Sequence, residues 1–294
     1  MKSENEKKDE PIKSVADFIS AVMEMNKDGK KPTAYRGQRN KTWHFIPKIF
    51  RDDGQYEDEY AISRDIIIPH SEEFRDDSCM FDRLVRMQHF GAPTRLLDVT
   101  TNPLVALWFA TEETPEKEIK EKGEVDAKIS AFYIQNEREK YFDSDTVSCM
   151  ANIANLKIEE KKELFALIDS ESSIEEFNGE NVVKKLCYFI GMEKPNFEKN
   201  INPKDLLFPL YVKPKLNNKR IIAQSGAFFI YGVREITDER RNNPIRAGHL
   251  TIDYSSKRNI RDELNSLGIN EGMLFPELDR TAKIIAEKYK KVAL

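Results

Sequence analysis

Cysteine is scarce in this chain, and its three residues, Cys79, Cys149 and Cys187, stand far apart. An odd number of widely spaced cysteines without a CxxC pair predicts neither a disulfide framework nor a zinc cage. The four histidines form no HExxH pattern, and no paired-carboxylate metal motif occurs. We therefore expect no metal ion, and a metal-dependent nuclease is not favoured.

Long apolar runs and an excess of basic charge are also missing. The longest apolar runs, such as residues 103–110, have the length of a core helix rather than of a membrane span. The polar N-terminus lacks the apolar segment of a secretory signal. We therefore expect a cytoplasmic protein without a membrane partner. Because the net charge is -4, the sequence does not indicate bulk electrostatic attraction to nucleic acid. This net charge does not exclude a local basic cleft.

Strand-like and helix-like segments are present in number, but they do not alternate regularly, which predicts an α+β fold. Strands are predicted near residues 33–37, 95–100, 128–134, 207–212, 220–231 and 249–254. Ser14 is predicted to cap a first helix. Changes in composition and apolar pattern divide the chain into four predicted parts. These are a flexible tail (1–12), a core (13–136), a Glu/Lys-rich helical insertion (137–205) and the remainder of the core (206–294).

The first candidate site is Tyr35-Arg36-Gly37, at the end of a predicted strand. A buried arginine is costly unless its guanidinium is paired or meets an anion. Arg36 is therefore either a fork for phosphate or ribose groups, or a structural partner of a carboxylate such as Asp98. Gly37 lets the backbone turn or lets a ligand approach closely.

The second candidate site is the helix-to-strand junction from Gln88 to Asp98, which concentrates polar groups that a simple turn does not need. Asp98 follows two leucines and is predicted to enter the interior, where Arg36 or Arg95 would supply hydrogen bonds. His89 is a candidate hydrogen-bond donor or general acid and base. The alternative for His89 is a structural histidine that fixes the loop.

Two further polar groups lie next to predicted strand ends. Thr100 and Thr101 precede Asn102, the predicted cap of a helix, where free N–H groups favour an anion or a polar ligand. Helix capping alone is the alternative there. The segment Gln224-Ser225-Gly226 interrupts the apolar run 220–231. Gln224 is predicted to face a ligand, and the alternative is a bulge only.

These motifs together resemble the FRG domain, a family named for its aromatic-Arg-Gly motif. The matching residues are Tyr35-Arg36-Gly37-Gln38, the segment 88–98, Asn102-Pro103 with 106–110, Arg220 with 223–228, and 274–279. The resemblance runs from about residue 30 to residue 285. It implies a bacterial or phage protein, and some members look like parts of defence systems.

The order of the motifs is also similar to that of ADP-ribosyltransferases with an Arg, Ser-Thr-Ser, Glu plan. This similarity implies a central, mostly antiparallel sheet like their split core, with Arg36 holding NAD and with Thr100 and Thr101 bracing the site. Gln224 would match the third element. Gly226 stands where the catalytic Glu is expected, so Asp98 or Glu235 would have to replace it.

The leading hypothesis is an NAD-using enzyme that performs ADP-ribosyl transfer or glycohydrolysis, as a toxin in phage defence. His89, Asp98 and Gln224 would be catalytic, and NAD would bind at Tyr35, Arg36, Gly37, Arg95, Thr100 and Thr101. The acceptor would be a protein or a nucleic acid, and a neutralising partner protein is expected. The alternative is a non-catalytic module that senses a nucleotide or binds a partner protein.

Overall fold

A computed structural model describes residues 11–27, 31–51, 55–170, 172–233 and 245–289. Its centre is a seven-stranded sheet with the strand order β4-β5-β6-β2-β1-β3-β7. The strands are β1 (Ala34–Gln38), β2 (Leu96–Thr100), β3 (Ala127–Tyr133), β4 (Glu139–Tyr141), β5 (Leu210–Lys213), β6 (Gly226–Ile230) and β7 (Arg246–Ile252). Every pairing is antiparallel except that of β4 with β5. The predicted α+β class with a mostly antiparallel sheet is therefore confirmed.

Helices surround this sheet on both faces. Those before β3 are α1 (Val15–Met25), α2 (Glu59–Ile67), α3 (Met80–His89), α4 (Pro103–Ala110) and α5 (Glu116–Lys122). Those between β4 and β5 are α6 (Asp145–Asn152), α7 (Ile158–Asp169), α8 (Ile174–Gly179) and α9 (Asn181–Glu193). Those that follow β5 are α10 (Lys219–Ala223), α11 (Lys257–Ser266), α12 (Glu271–Leu274) and α13 (Leu278–Lys288). Among the described residues, no helix is both long enough and apolar enough to cross a membrane.

The local signals in the sequence explain several of these boundaries. The Ser14 hydroxyl accepts a hydrogen bond from the Asp17 amide at the start of α1. The Asn102 side chain caps α4 by accepting from the Leu104 amide, and Pro103 occupies the first turn. Gly91 ends α3 with a φ of +83°, a conformation that glycine adopts without steric cost.

Apolar side chains pack on both faces of the sheet. A cluster around Phe229 covers one face, and two further clusters lie side by side on the opposite face, as the strand register and the alternation of side chains show. One buried cluster joins α1, α4 and α11 to β1 and β3, including Phe18, Leu107 and Ile129. A second joins the helices of segment 137–205 to α3, β5 and β6, including Leu186 and Phe228. Because that cluster runs without a break from the insertion to the sheet, the insertion helices share the core of the protein.

Three local expectations need correction. The run 220–231 was predicted as one strand, but α10 occupies its first part and β6 begins only at Gly226. The predicted helical insertion begins with a strand, β4, which joins the sheet. Residues 1–10 of the predicted tail lie outside the described residues, whereas Ile12 is buried and pairs with Ile252.

Candidate active-site cleft

The candidate site is a cleft at the place where β1 and β2 part. β1 pairs with β3 over five residues, whereas it pairs with β2 only through Tyr35 and Thr100. Beyond that single pair, a cleft of about 210 Å³ opens between residues 35–39 and the residues of β2 from Asp98 onward. The backbone pairing of these two strands therefore stops at the edge of the cleft.

Arg36 fills part of this gap. Its Nη1 donates a hydrogen bond to the carbonyl oxygen of Asp98. In a regular sheet, a backbone amide of β1 would donate to this oxygen instead. Its Nε is buried and has no hydrogen-bond partner among the described residues. Burial lowers the pKa of Arg36, and the charge of Asp98 opposes that shift. The guanidinium is therefore held by the backbone and keeps a donor without a protein acceptor.

Three more arginines line the same cleft, Arg39, Arg51 and Arg220. Arg220 Nη1 donates to the carbonyl oxygen of His89 at 3.2 Å, and its guanidinium lies 4.6 Å from the ring centroid of Phe275. Burial lowers the pKa of Arg220, while Asp98 and Glu277 raise it. Together with Arg36, four arginines therefore line one opening.

Asp98 was predicted to enter the interior, and this prediction is wrong, because its side chain is exposed while both neighbours in β2 are buried. Alternation along the strand places Leu97 and Val99 on one face and Asp98 on the other, where Asp98 is exposed although Leu96 and Thr100 beside it are buried. Its Oδ2 accepts from Gln88 Nε2 at 2.7 Å, and Gln88 Oε1 in turn accepts from the Thr94 hydroxyl at 2.6 Å. The carboxylate is thus oriented and open to the cleft.

Arg95 is not part of the site, contrary to its predicted role in cofactor binding. Its side chain is fully buried, with Nε and Nη2 donating to the two carboxylate oxygens of Glu59. Nη1 donates to the carbonyl oxygens of Tyr231 and Gly232 at 2.9 Å each. Lys161 Nζ also binds Glu59, at 2.6 Å. Arg95 is therefore one member of a buried ion cluster that joins α2, β2 and α7.

Gly37 lines the cleft, but contact with a helix explains why the residue is glycine. A Cβ at this position would lie 1.7 Å from the carbonyl oxygen of Ala106 and 2.7 Å from the amide nitrogen of Ala110. Both are backbone atoms of α4. The predicted backbone turn is absent, because Gly37 pairs with Ile129 inside β1. Close packing of α4 on β1 therefore requires the missing side chain.

The two threonines bind backbone rather than standing free. Thr100 lines the cleft, and its hydroxyl donates to the carbonyl oxygen of Gln224 at 2.7 Å and accepts from the Asn102 amide at 3.0 Å. The Thr101 amide and hydroxyl both donate to the carbonyl oxygen of Ser225, at 2.9 and 3.3 Å. Thr101 is exposed and lies outside the cleft lining. Both residues brace the turn before β6.

That turn carries Gln224 and the one described non-glycine residue with a positive φ, Ser225 at +47°. Such a conformation is uncommon outside glycine and needs support from its surroundings, which the threonines supply. Gln224 lines the cleft, and its Nε2 donates to the carbonyl oxygen of Leu274 at 3.0 Å. The predicted bulge at Gly226 is absent, because Gly226 pairs regularly with Thr100.

His89 lies at a narrow extension of the cleft of about 60 Å³, which shares Asp98, Arg220 and Gln224 with the wider part. Its Nε2 is 3.5 Å from Glu277 Oε1, and its Nδ1 is 3.4 Å from Asn218 Nδ2. Burial lowers the pKa of His89, Arg220 lowers it further, and Glu277 raises it. A neutral imidazole is therefore favoured at neutral pH.

The structure thus brings together most of the predicted residues and adds others. Tyr35, Arg36, Gly37, Asp98, Thr100 and Gln224 line the wide part, His89 lines the narrow part, and Arg95 and Thr101 line neither. The sequence did not identify Trp43, Phe109 and Arg51 as lining residues. No local pattern in the sequence marks Arg51. Glu235, the other proposed carboxylate, lies outside the described residues.

The comparisons with known proteins agree with the motif at this cleft. Residues 31–119, which include β1, β2 and the segment between them, match the family model of the FRG domain. The chain contains an FRG domain. No curated protein and no solved structure matches the chain. The FRG match covers Arg36, His89 and Asp98, whereas Arg220 and Gln224 lie beyond its end.

Proposed function

We propose that the FRG-domain cleft binds a nucleotide through its phosphates, with NAD as the first candidate. The buried Nε of Arg36, which has no described protein acceptor, carries this proposal. Leaving a charged donor unpaired is costly, and an anionic oxygen in the cleft would remove that cost.

The balance of charge in the cleft supports an anionic ligand. Arg36, Arg51 and Arg220 face one opening, whereas Glu112 is within 3.6 Å of Arg39 and is balanced by it. Asp98 is then the remaining carboxylate of the lining. A local basic cleft therefore exists in a chain of net charge -4, and such a cleft concentrates anions.

The proposed reaction is cleavage of the bond between nicotinamide and ribose, with transfer of ADP-ribose to an acceptor or to water. Asp98 would stabilise positive charge that develops on the ribose, because it is the exposed carboxylate of the lining that forms no ion pair with Arg39. Arg36 and Arg220 would hold the pyrophosphate. His89, whose pKa is lowered by burial, would accept a proton from the attacking group.

A second candidate function is a nucleotide sensor without turnover. Two observations favour it: β6 starts with Gly226 instead of a carboxylate, and the Gln224 amide already binds the Leu274 carbonyl oxygen. The FRG resemblance suggests a bacterial, cytoplasmic setting in phage defence for either function, with a neutralising partner if the protein is toxic.

Binding of labelled NAD by purified protein tests the proposal. We expect Arg36→Ala to lower the affinity for NAD by about tenfold or more, the usual effect of losing hydrogen bonds to a charged group. Arg36→Lys keeps the charge but loses the fork, so it should bind more weakly than the native protein. Arg83→Ala is the control, because Arg83 is exposed on α3 and lines neither part of the cleft.

Release of free nicotinamide then separates the enzyme from the sensor. In an enzyme, Asp98→Asn should abolish release while NAD still binds. A sensor binds NAD saturably and releases no nicotinamide with or without cell extract. Absence of any NAD binding to a folded native protein would remove NAD as the ligand in both cases.

A further inference from the structure

The loop after β1, residues 39–43, is held firmly at one end of the cleft. Lys128 Nζ donates to the carbonyl oxygen of Trp43 at 3.0 Å, and Lys257 Nζ donates to that of Arg39 at 2.7 Å. The Asn40 side chain accepts from both the amide and the hydroxyl of Thr42, at 2.9 and 2.7 Å. The loop therefore presents its side chains in a fixed arrangement before any ligand arrives.

Trp43 is the large aromatic side chain of this loop, and it remains 38% exposed while lining the cleft. The Arg39 guanidinium covers part of the ring, with its carbon 4.8 Å from the ring centroid. Arg39 is itself held by Glu118 at 2.8 Å. An exposed indole on a fixed support, beside a cluster of arginines, is a platform on which a planar base can stack.

Gln38 adds a polar group to the same end. The side chain is only 4% exposed, and its Oε1 is buried without a hydrogen-bond partner among the described residues. Its Nε2 is directed to the carbonyl oxygen of His44 at 3.4 Å, which fixes Oε1 as the free atom. Gln38 lines the cleft, and an N–H donor of a ligand would satisfy this unpaired acceptor.

We propose that this end of the cleft, formed by Trp43 and Gln38, is a base-binding subsite that selects adenine. The proposal rests on the proposed nucleotide function and names the base. Adenine carries an amino group that donates to a carbonyl acceptor, whereas hypoxanthine and guanine carry a keto oxygen at the same ring position. The keto oxygen and Gln38 Oε1 are both hydrogen-bond acceptors and would repel each other. The affinity for nucleotides of hypoxanthine and guanine should therefore be lower.

Tryptophan fluorescence provides the measurement, because the chain has two tryptophans and the other, Trp108, is buried. The probes are adenosine diphosphate, inosine diphosphate and inorganic pyrophosphate. The first two carry the same phosphates and differ in the base. We expect adenosine diphosphate to quench the fluorescence and to bind about fivefold or more tightly than inosine diphosphate.

Variants of Trp43 and Gln38 separate the contribution of base stacking from that of the hydrogen bond. Trp43→Ala should weaken adenosine diphosphate about tenfold, the typical effect of losing one stacked base, and should leave pyrophosphate binding unchanged. Trp43→Phe retains a stacking ring and should restore most of the affinity. Gln38→Met removes the acceptor with little change in volume and should bring the two nucleotides to within about twofold of each other. Binding in these variants is followed by calorimetry, and circular dichroism checks that each one is folded.

The outcomes distinguish this inference from the function on which it rests. If pyrophosphate binds but the two nucleotides bind no differently, or if Trp43→Ala has no effect on them, the adenine subsite is refuted and the phosphate cleft stands. If neither pyrophosphate nor either nucleotide binds, the nucleotide function itself fails, and the subsite fails with it.

Discussion

The packing of α4 on β1 yields the prediction with the largest expected effect, for Gly37→Ala. The new Cβ would lie 1.7 Å from the carbonyl oxygen of Ala106, 1.3 Å short of the 3.0 Å that real Cβ contacts respect. It would also lie 2.7 Å from the amide nitrogen of Ala110. Neither atom belongs to a flexible side chain. The helix as a whole must therefore move away from the sheet by more than an ångström.

That displacement disrupts a buried interface. α4 contributes Val105, Ala106 and Leu107 to the core, all of them completely buried. Overpacking a core with one methyl group typically costs about 1–3 kcal/mol. The cost here should reach or exceed the upper end of this range, because the contacted atoms belong to the helix backbone and cannot move as a side chain does. We expect Gly37→Ala to lower the free energy of unfolding by about 3 kcal/mol or to prevent folding.

Urea unfolding followed by circular dichroism measures this effect, and Gly191→Ala is a matched control. Gly191 lies inside α9, where a Cβ would meet nothing within 4 Å. Alanine at an open helical position should stabilise the protein by up to about 1 kcal/mol. A Gly37→Ala protein with the native urea midpoint would refute the steric argument. If that protein also lost ligand binding, close approach of a ligand would explain the glycine instead.

The remaining predictions concern two titrating groups. Burial opposes ionisation of Glu59, but Arg95 and Lys161 outweigh it and hold the pKa of Glu59 below its usual 4.5. Its stabilising contribution is therefore complete above that pH and is lost as the pH falls through the lowered pKa. Glu59→Gln should cost about 3 kcal/mol at pH 7 and flatten the acid dependence of the urea midpoint; an unchanged midpoint at pH 7 would contradict the buried cluster. Burial lowers the pKa of His89 below 6.5 while Glu277 raises it, so an NMR titration should give a midpoint under 6.5 and Glu277→Gln should lower it further. A midpoint that rises in this variant would disprove the assigned contact.

Local sequence signals predicted many of the elements because short-range interactions decide them. The helix caps at Ser14 and Asn102 both appear where the sequence predicts them. The run 220–231 was wrongly predicted as a single strand, because the residues of α10 and β6 within it are both largely apolar. A short helix and a buried strand cannot be separated by apolarity alone.

The candidate site was predicted in part, and its errors share one physical cause. Arg36 and Arg95 look alike in sequence, since each stands beside a strand of apolar residues. Arg95 is satisfied by Glu59, a residue of another helix, whereas the Nε of Arg36 finds no described acceptor. Only the positions of distant partners distinguish an arginine that is available to a ligand from one that is fully paired.

The sequence by itself determined the α+β class, the helix caps and the turns. It also contained the motif residues by which the chain resembles the FRG domain. Those features depend on interactions over a few residues or on the pattern of apolar side chains. The tertiary structure decided that β1 and β2 part after the pair Tyr35 and Thr100, and that Arg51, Trp43 and Arg220 meet Arg36 in the opening. Strand splaying and the convergence of side chains from distant segments depend on long-range packing, which no local pattern encodes.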